Sequence, residues 1–359
     1  MSRKQKLIIL ICAFILGVAL LILPKLKYYY GAFQKSSNTA AVVIYLSGKE
    51  HVLDVKYVAH LLQENGVISN TDLFELVGSE KEMNPRNIAP GKYRIEPGTA
   101  YRHIWNGFTL NSELNGNAEQ TVEVNFENCR NIHDLAGKLQ KQLDLDSTAF
   151  IAHLQNGQTL TSLGFTLEQL PALFIPNTYD MYWDQTPAQF VERMAKEFKN
   201  FWTPARMEKL KTVGLNAPSE AVTLASIVYS EQSRRAEEWP IIAGLYLNRI
   251  NQGIKLQSDP TFKFCWGDKL DGVQRLLNEH KNIDCAYNTY KINGLPPGPI
   301  CIPPSQTVDA VLNRDNNNYI FMMAKPDYSG RHDFSVEYSK HEAYAKVYQK
   351  WLANELKNQ

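Results

Sequence analysis

Charge of one sign is missing from this chain. Its 38 Lys and Arg against 37 Asp and Glu leave a formal net charge of +1, so the bulk electrostatic signature of a nucleic-acid binder is absent. Cysteine is scarce, with five in 359 residues. Cys12, Cys129, Cys265, Cys285 and Cys301 make no CxxC and no Cys/His pattern at zinc spacing, so no metal is expected. There is no GxSxG, no P-loop and no HExxH, which removes the serine-hydrolase elbow, the phosphate cradle and the metalloprotease helix. Only one long apolar run occurs, at 7–23, so a multi-span membrane protein is excluded.

Arg3, Lys4 and Lys6 precede that run, and Pro24, Lys25 and Lys27 end it. Roughly 17 residues at about 1.5 Å each reach about 25 Å, enough for one span. The basic residues before it predict a cytoplasmic N-terminus. The run closes on Leu-Leu-Ile-Leu-Pro without a small-x-small site, which favours an uncleaved anchor over a signal peptide. Tyr28, Tyr29 and Tyr30 then sit at the outer interface. Everything after about residue 31 lies on the extracytoplasmic side of a single-pass cytoplasmic-membrane protein.

Residues 31–40 are small and polar and read as a linker. Strands are expected at 41–46, 91–95 and 121–126, with helices at 55–63, 71–77 and 99–108. Compared with itself, the chain aligns 55–77 on 132–154 without gaps. Val58 meets Leu135, Ala59 meets Ala136, Leu62 meets Leu139 and Gln63 meets Gln140. The region reads as two related strand-helix-helix units. Such units resemble LysM modules, which bind amino-sugar polymers. The resemblance is architectural and names no sugar contact.

From about residue 167 the character changes. Helices are expected at 189–201, 204–213 and 237–251, with Gly253 just beyond the last, and Ser219 is the candidate N-cap of a helix ending near Glu231. Leu224, Ile227 and Val228 form an apolar stripe at helical spacing, and Glu231 falls on it one turn later. A carboxyl facing a core is costly unless paired or protonated. Burial raises its pKa, which is what a general acid working near neutral pH needs. The competing reading pairs Glu231 with Arg234 or Arg235 at the rim of the helix.

Beyond it the chain is loop-rich. Gln257, Asp259, Asn288, Thr289, Tyr290 and His332 are the polar candidates, interleaved with turn residues such as those of Gly-Leu-Pro-Pro-Gly-Pro-Ile at 294–300. Each has a plain alternative: Gln257 and Asn288 close turns, Asp259 opens one before Pro260, and His332 ends a strand. Strands are expected at 319–324, as a buried one, and at 332–335, with a closing helix at 342–356. Tyr and Trp supply many of the aromatics, residue types suited to sugar faces as well as to cores. Cys265 and Cys285 either close the hydrophilic insert between them as a disulfide or stay free thiols.

Five ordered motifs carry a wider resemblance. They are Ala-Ser-Ile-Val-Tyr-Ser-Glu ending at Glu231, Ala-Gly-Leu-Tyr-Leu-Asn-Arg ending at Arg249, Leu-Gln-Ser-Asp-Pro-Thr at 256–261, Tyr-Asn-Thr-Tyr at 287–290, and the Pro-Gly loop. Their order is similar to that of the YceG-like family, the MltG-type endolytic murein transglycosylases. His332-Asp-Phe-Ser and His341 resemble the family's closing motif. Two departures stand out: Tyr229 occupies a position where the family usually carries a second Glu, and the Cys265–Cys285 insert is unlike the commoner versions.

The resemblance implies an α+β protein with a transmembrane anchor at 1–30, a LysM-like region at 31–165 and a mixed α/β catalytic domain at 166–359. It implies cleavage of MurNAc–GlcNAc β-1,4 bonds within peptidoglycan strands, with Glu231 as the catalytic acid and base, 1,6-anhydro ends as products, and no cofactor. Gln257, Asp259, Asn288, Thr289, Tyr290 and His332 are the implied substrate-binding set. Glycan strands are the implied partner, with peptidoglycan synthases as a second. The rival readings are a non-catalytic peptidoglycan-binding scaffold and a water-using muramidase, for which Asp259 is the available second carboxylate.

Overall fold

The computed structural model describes residues 2–109, 119–270 and 279–357. The chain forms two compact units. The first comprises Met1–Val124, Gln142–Asp144 and Tyr179–Gln185; the second comprises Asn125–Lys141, Leu145–Thr178 and Thr186–Gln359. The architecture is mixed α and β.

In the first unit, helix α1 (Arg3–Phe33) carries the apolar run and is long and apolar enough to cross a membrane. Strand β1 (Val42–Leu46), helices α2 (Val55–Glu64) and α3 (Thr71–Glu80), strand β2 (Gly91–Ile95) and helix α4 (Tyr101–Gly107) follow. Asp54 and Asn70 cap α2 and α3 by accepting the N–H of Tyr57 and Leu73. β1 and β2 pair antiparallel from Val42 opposite Ile95 to Leu46 opposite Gly91. With β3 (Glu119–Asn125) and β4 (Thr178–Tyr182) they make one sheet in the order β1-β2-β3-β4. Val58, Leu62, Phe74, Val77, Tyr101 and Trp105 fill the core beneath it. Beside the sheet, Glu119 and Asp184 share a hydrogen bond between carboxyl groups. Burial, then the Asp184 charge, pushes the Glu119 pKa up to about 7.

The expected linker at 31–40 is not one. α1 continues to Phe33, Gly31 and Ala32 are buried, and a Cβ added at Gly31 would lie 3.1 Å from Val77. Ser36 and Ser37 donate their N–H groups to Thr99 and Val67. Small residues here allow close packing rather than freedom.

The second unit holds the other aligned helix pair, α5 (Ile132–Gln140) and α6 (Ser147–Leu154), capped by Asn131 and Asp146. Then come α7 (Gly157–Leu163), α8 (Pro187–Phe201), α9 (Pro204–Thr212), α10 (Pro218–Glu231), α11 (Trp239–Asn251), α12 (Asp259–Trp266) and α13 (Ser305–Leu312). The hairpin β5 (Phe321–Ala324) and β6 (His332–Ser335) and helix α14 (Tyr338–Lys357) close it. α10 is buried at Ser219 and from Ala221 to Val228 and forms the centre of this unit, with α11, α12 and α13 against it. Its buried Thr223 and Ser226 hydroxyls are satisfied by the carbonyls of Ser219 and Thr223, so the helix can sit in a core.

Local details depart from the sequence reading. Ser219 does not cap α10; it is buried in the first turn behind Pro218, which prefers that position. α11 begins at Trp239 rather than 237, because Pro240 suits the first turn and residues 236–238 form a 3₁₀ turn. Gly253 follows α11 at φ +67, as expected of a helix C-terminus. β5 is half-buried rather than buried. Cys265 and Cys285 are joined by a disulfide; residues 271–278 of that insert lie outside the described residues.

Candidate active site

Glu231 is the last residue of α10. The apolar stripe before it is fully buried at Leu224, Ile227 and Val228, so its side chain is carried to the edge of the core. Neither neighbouring arginine pairs with it: the Arg235 side chain donates to the Ser329 carbonyl, and the Arg234 N–H donates to the Gln232 side chain. Instead the Tyr246 hydroxyl, from α11, donates to Glu231 Oε1 at 2.7 Å. The Ser258 hydroxyl donates to the same oxygen at 2.5 Å.

Burial pushes the Glu231 pKa up; the two donors pull it back part of the way, and burial wins. A protonated carboxyl holding two donors on Oε1 presents its proton on Oε2. Burial and the Glu231 carboxyl raise the Tyr246 pKa well above its ordinary value, so this phenol remains a donor.

Ser258 reaches Glu231 at the expense of its own helix. It is the N-cap residue of α12, yet its hydroxyl caps nothing there. A cap of this kind contributes about 1 kcal/mol, and that contribution is forgone. Thr289 holds the loop instead. Its hydroxyl accepts the Ser258 N–H at 3.0 Å and lies 2.8 Å from the Thr261 hydroxyl, while its carbonyl accepts the Gln257 N–H. Gln257 sits at φ +52, a strained angle for a residue with a Cβ.

A cavity of about 390 Å³ opens beside Glu231, with Tyr246, Arg249, Gln257, Asp259, Tyr290 and the β5 residues on its walls. The Tyr290 hydroxyl donates to Asp259 Oδ1, and Lys281 lies 3.5 Å from the same oxygen. Burial, then the bond to Asp259, raises the Tyr290 pKa.

Of the sequence candidates, Glu231, Gln257, Asp259 and Tyr290 meet at this cavity. Asn288 and Thr289 do not line it and are both 0 % exposed. Asn288 donates to the carbonyls of Lys281 and Ile283 and accepts the Tyr290 N–H. The direct sugar contact expected of these two has no exposed polar atom here, because their polar groups are bonded to the chain itself. His332 is also away from the cavity wall. Its N–H and Nδ1 bond to the two oxygens of Glu238 at 2.9 and 2.8 Å, and Gln232 donates to the same carboxyl. Burial works to raise the Glu238 pKa, but these hydrogen bonds overcome it and lower the value. Tyr229 points elsewhere on α10 and donates to Asn128 at 2.8 Å.

Tyr246, Ser258 and Arg249 were missed as individual site residues, although all three lie inside the quoted motifs. Ser258 lies in a stretch that reads as loop, and only the packing of α10 against α11 and α12 reveals its contact with Glu231.

The YceG-like family matches the chain over residues 53–347. The chain belongs to the YceG-like family. An endolytic murein transglycosylase of Bacillus subtilis (strain 168) is 27% identical over 305 residues, covering 81% of this chain and 81% of that one. The endolytic murein transglycosylase of Streptococcus pneumoniae serotype 2 is 24% identical over 296 residues, covering 76% of this chain but 52% of its own length. The chain therefore spans about half of the streptococcal relative. A YceG-like protein of Listeria monocytogenes shares the fold, with a TM-score of 0.54 at 18% identity over 85% of this chain and 99% of that one.

Proposed function

We propose that this YceG-like chain is an endolytic murein transglycosylase, a lyase that cuts MurNAc–GlcNAc β-1,4 bonds inside peptidoglycan strands. The observation that carries the reading is one carboxyl, Glu231, raised in pKa by burial and held on Oε1 by Tyr246 and Ser258 at the wall of a cavity. Protonated Glu231 donates from Oε2 to the glycosidic oxygen, and the C1–O bond breaks. The carboxylate so formed takes the proton of the C6 hydroxyl of the same MurNAc, whose oxygen closes on C1. The nucleophile belongs to the substrate and needs no bound water. One residue therefore serves as acid and then base. Most glycosidases need two carboxylates. Asp259 lines the same cavity, but it is engaged by Tyr290 and Lys281, which supports the single-carboxylate route over a muramidase.

The LysM-like reading applies best to β1-α2-α3-β2 in the first unit, a strand-helix-helix-strand order with an antiparallel pair, as a glycan-holding element. α1 anchors the chain in the cytoplasmic membrane with the rest of both units outside, where strands leave the synthases that are its proposed partners. The test is product analysis. The full chain in detergent is incubated with uncrosslinked glycan strands, beside Glu231→Gln. Anhydro ends from the parent alone support the assignment. Reducing ends replace it with hydrolysis, and binding without cleavage by the parent replaces it with a scaffold.

A further inference from the structure

Two polar atoms in the cavity make no hydrogen bond within the described chain. They are Arg249 Nε and His341 Nδ1, both buried, and both side chains line the cavity beside Glu231. A buried polar atom without a partner costs about 1–3 kcal/mol, and such atoms concentrate where a ligand supplies the bond.

The pair is built, not loose. Arg249 is 8 % exposed. Its Nη1 donates to the Leu256 carbonyl and its Nη2 to the Gln257 side chain, so the guanidinium is fixed, and its Nε–H is a buried donor with no partner in the described chain. Phe321 touches both partners. Its ring stacks on His341 at 5.1 Å with 17° between the planes, and the Arg249 guanidinium carbon lies 5.6 Å from its centroid. Burial, then the Arg249 charge, lowers the His341 pKa, so the imidazole is neutral at neutral pH. A neutral imidazole carries one N–H and one acceptor nitrogen.

Arg249 Nε–H needs an acceptor. A neutral His341 whose proton sits on Nε2 offers Nδ1 as an acceptor and needs a donor. A secondary amide supplies both, through its carbonyl oxygen and its N–H. Phe321, Met322 and Met323 give the same cavity an apolar wall for the carbon beside that carbonyl. We infer that Arg249 and His341 form a subsite for a secondary amide of the substrate. This rests on the proposed glycan substrate, which carries such amides in two places: the 2-acetamido groups of the sugars, and the stem, at its lactyl-to-peptide bond and its peptide bonds.

The test is binding in the full-length Glu231→Gln protein, which separates recognition from turnover. The probes are an uncrosslinked glycan tetrasaccharide with stem peptides, the same compound with the stems removed by an amidase, and its N-deacetylated form. His341→Phe keeps the ring on Phe321 and removes the nitrogens, while His341→Gln returns a donor and an acceptor. Arg249 is left in place because it holds the loop at 256–257. His341→Phe is expected to weaken binding of the stem-bearing probe about tenfold, with partial recovery in His341→Gln. A loss that persists without stems and vanishes on N-deacetylation identifies the acetamido group, and the opposite pattern identifies an amide of the stem. Equal affinity of His341→Phe and its parent for all three probes overturns the subsite, even where the active protein makes anhydro ends. Dependence on His341 in a protein whose active form makes no anhydro ends retains the subsite and discards the transglycosylase reading.

Discussion

Ser258 donates its hydroxyl to the carboxyl of Glu231 at 2.5 Å across 27 residues of sequence, and it leaves its own helix uncapped to do so. Together with Tyr246 it fixes which carboxyl oxygen accepts and which can carry the proton.

Both donors favour the ionised carboxyl, so removing either raises the Glu231 pKa further. An acid that works protonated then stays competent to higher pH. Ser258→Ala and Tyr246→Phe should each move the alkaline limb of the pH–rate profile upward by about half to one unit, and lower kcat about tenfold through lost orientation. Cleavage rates across pH check this, and a limb that moves downward would sink the account of Oε1.

Glu231→Gln should abolish cleavage and stabilise the fold at neutral pH. The folded-state pKa is raised, so the native state holds the proton more tightly than the unfolded chain. That stability is complete below the unfolded pKa and is lost as pH rises through the folded one. Glutamine has no such loss. Melting curves should show a higher Tm for the variant at pH 7.5 and little difference near pH 4.

Glu119 repeats this logic in the first unit with a defined window. Its pKa rises from 4.5 to about 7 beside Asp184. Glu119→Gln should flatten the decline in the parent's stability between those values, and it can still donate to Asp184. Thermal melts from pH 4 to 8 test it, and an unchanged slope would count against a shared proton.

The Cys265–Cys285 bridge closes a loop of sequence separation 20, worth about 3 kcal/mol in the chain-entropy account. Lys281 lies within that loop and contacts Asp259 and Tyr290. The double variant Cys265→Ser/Cys285→Ser should therefore unfold earlier and show a raised KM, readable by denaturant melts and initial rates.

Gly298 of the Pro-Gly loop leaves no room for a side chain. An added Cβ would stand 1.9 Å from the carbonyl oxygen of Glu168, while the Ile300 N–H is held by Ser226 of α10 at 3.0 Å. Gly298→Ala should cost about 1–3 kcal/mol of stability or more. A Tm equal to the parent's would mean that the loop yields freely.

How much of this was legible in sequence depends on the range of the interaction. Helical period alone placed Glu231 on a buried stripe, because α10 obeys one repeat from Leu224 to its end. The same period could not say that Tyr246 meets it, since the turn of α11 that reaches the end of α10 is set by packing, including the close approach of Gly244 to the Asp315 carbonyl. Asn288 and Thr289 were recognised as polar residues of the site but not as fully buried ones, because sequence does not distinguish a buried amide from an exposed one. The stretch from Asp259 read as a loop, although Pro260 at a first helical turn is compatible with the helix found there. The segments 142–144 and 179–185 return to the first unit, a long-range pairing that no local pattern announces.

The docking of Gly31 and Ala32 against α3 has a mechanical consequence. With residues 7–23 in a bilayer, only residues 24–30 of the same helix, roughly 10 Å at its ordinary rise, would separate the hydrocarbon from the packed part of the first unit. On the proposed membrane reading, so short a connection would set a working height. It would keep the first unit within a narrow reach of the headgroups, so that access to a strand would be graded by the strand's distance from the membrane surface.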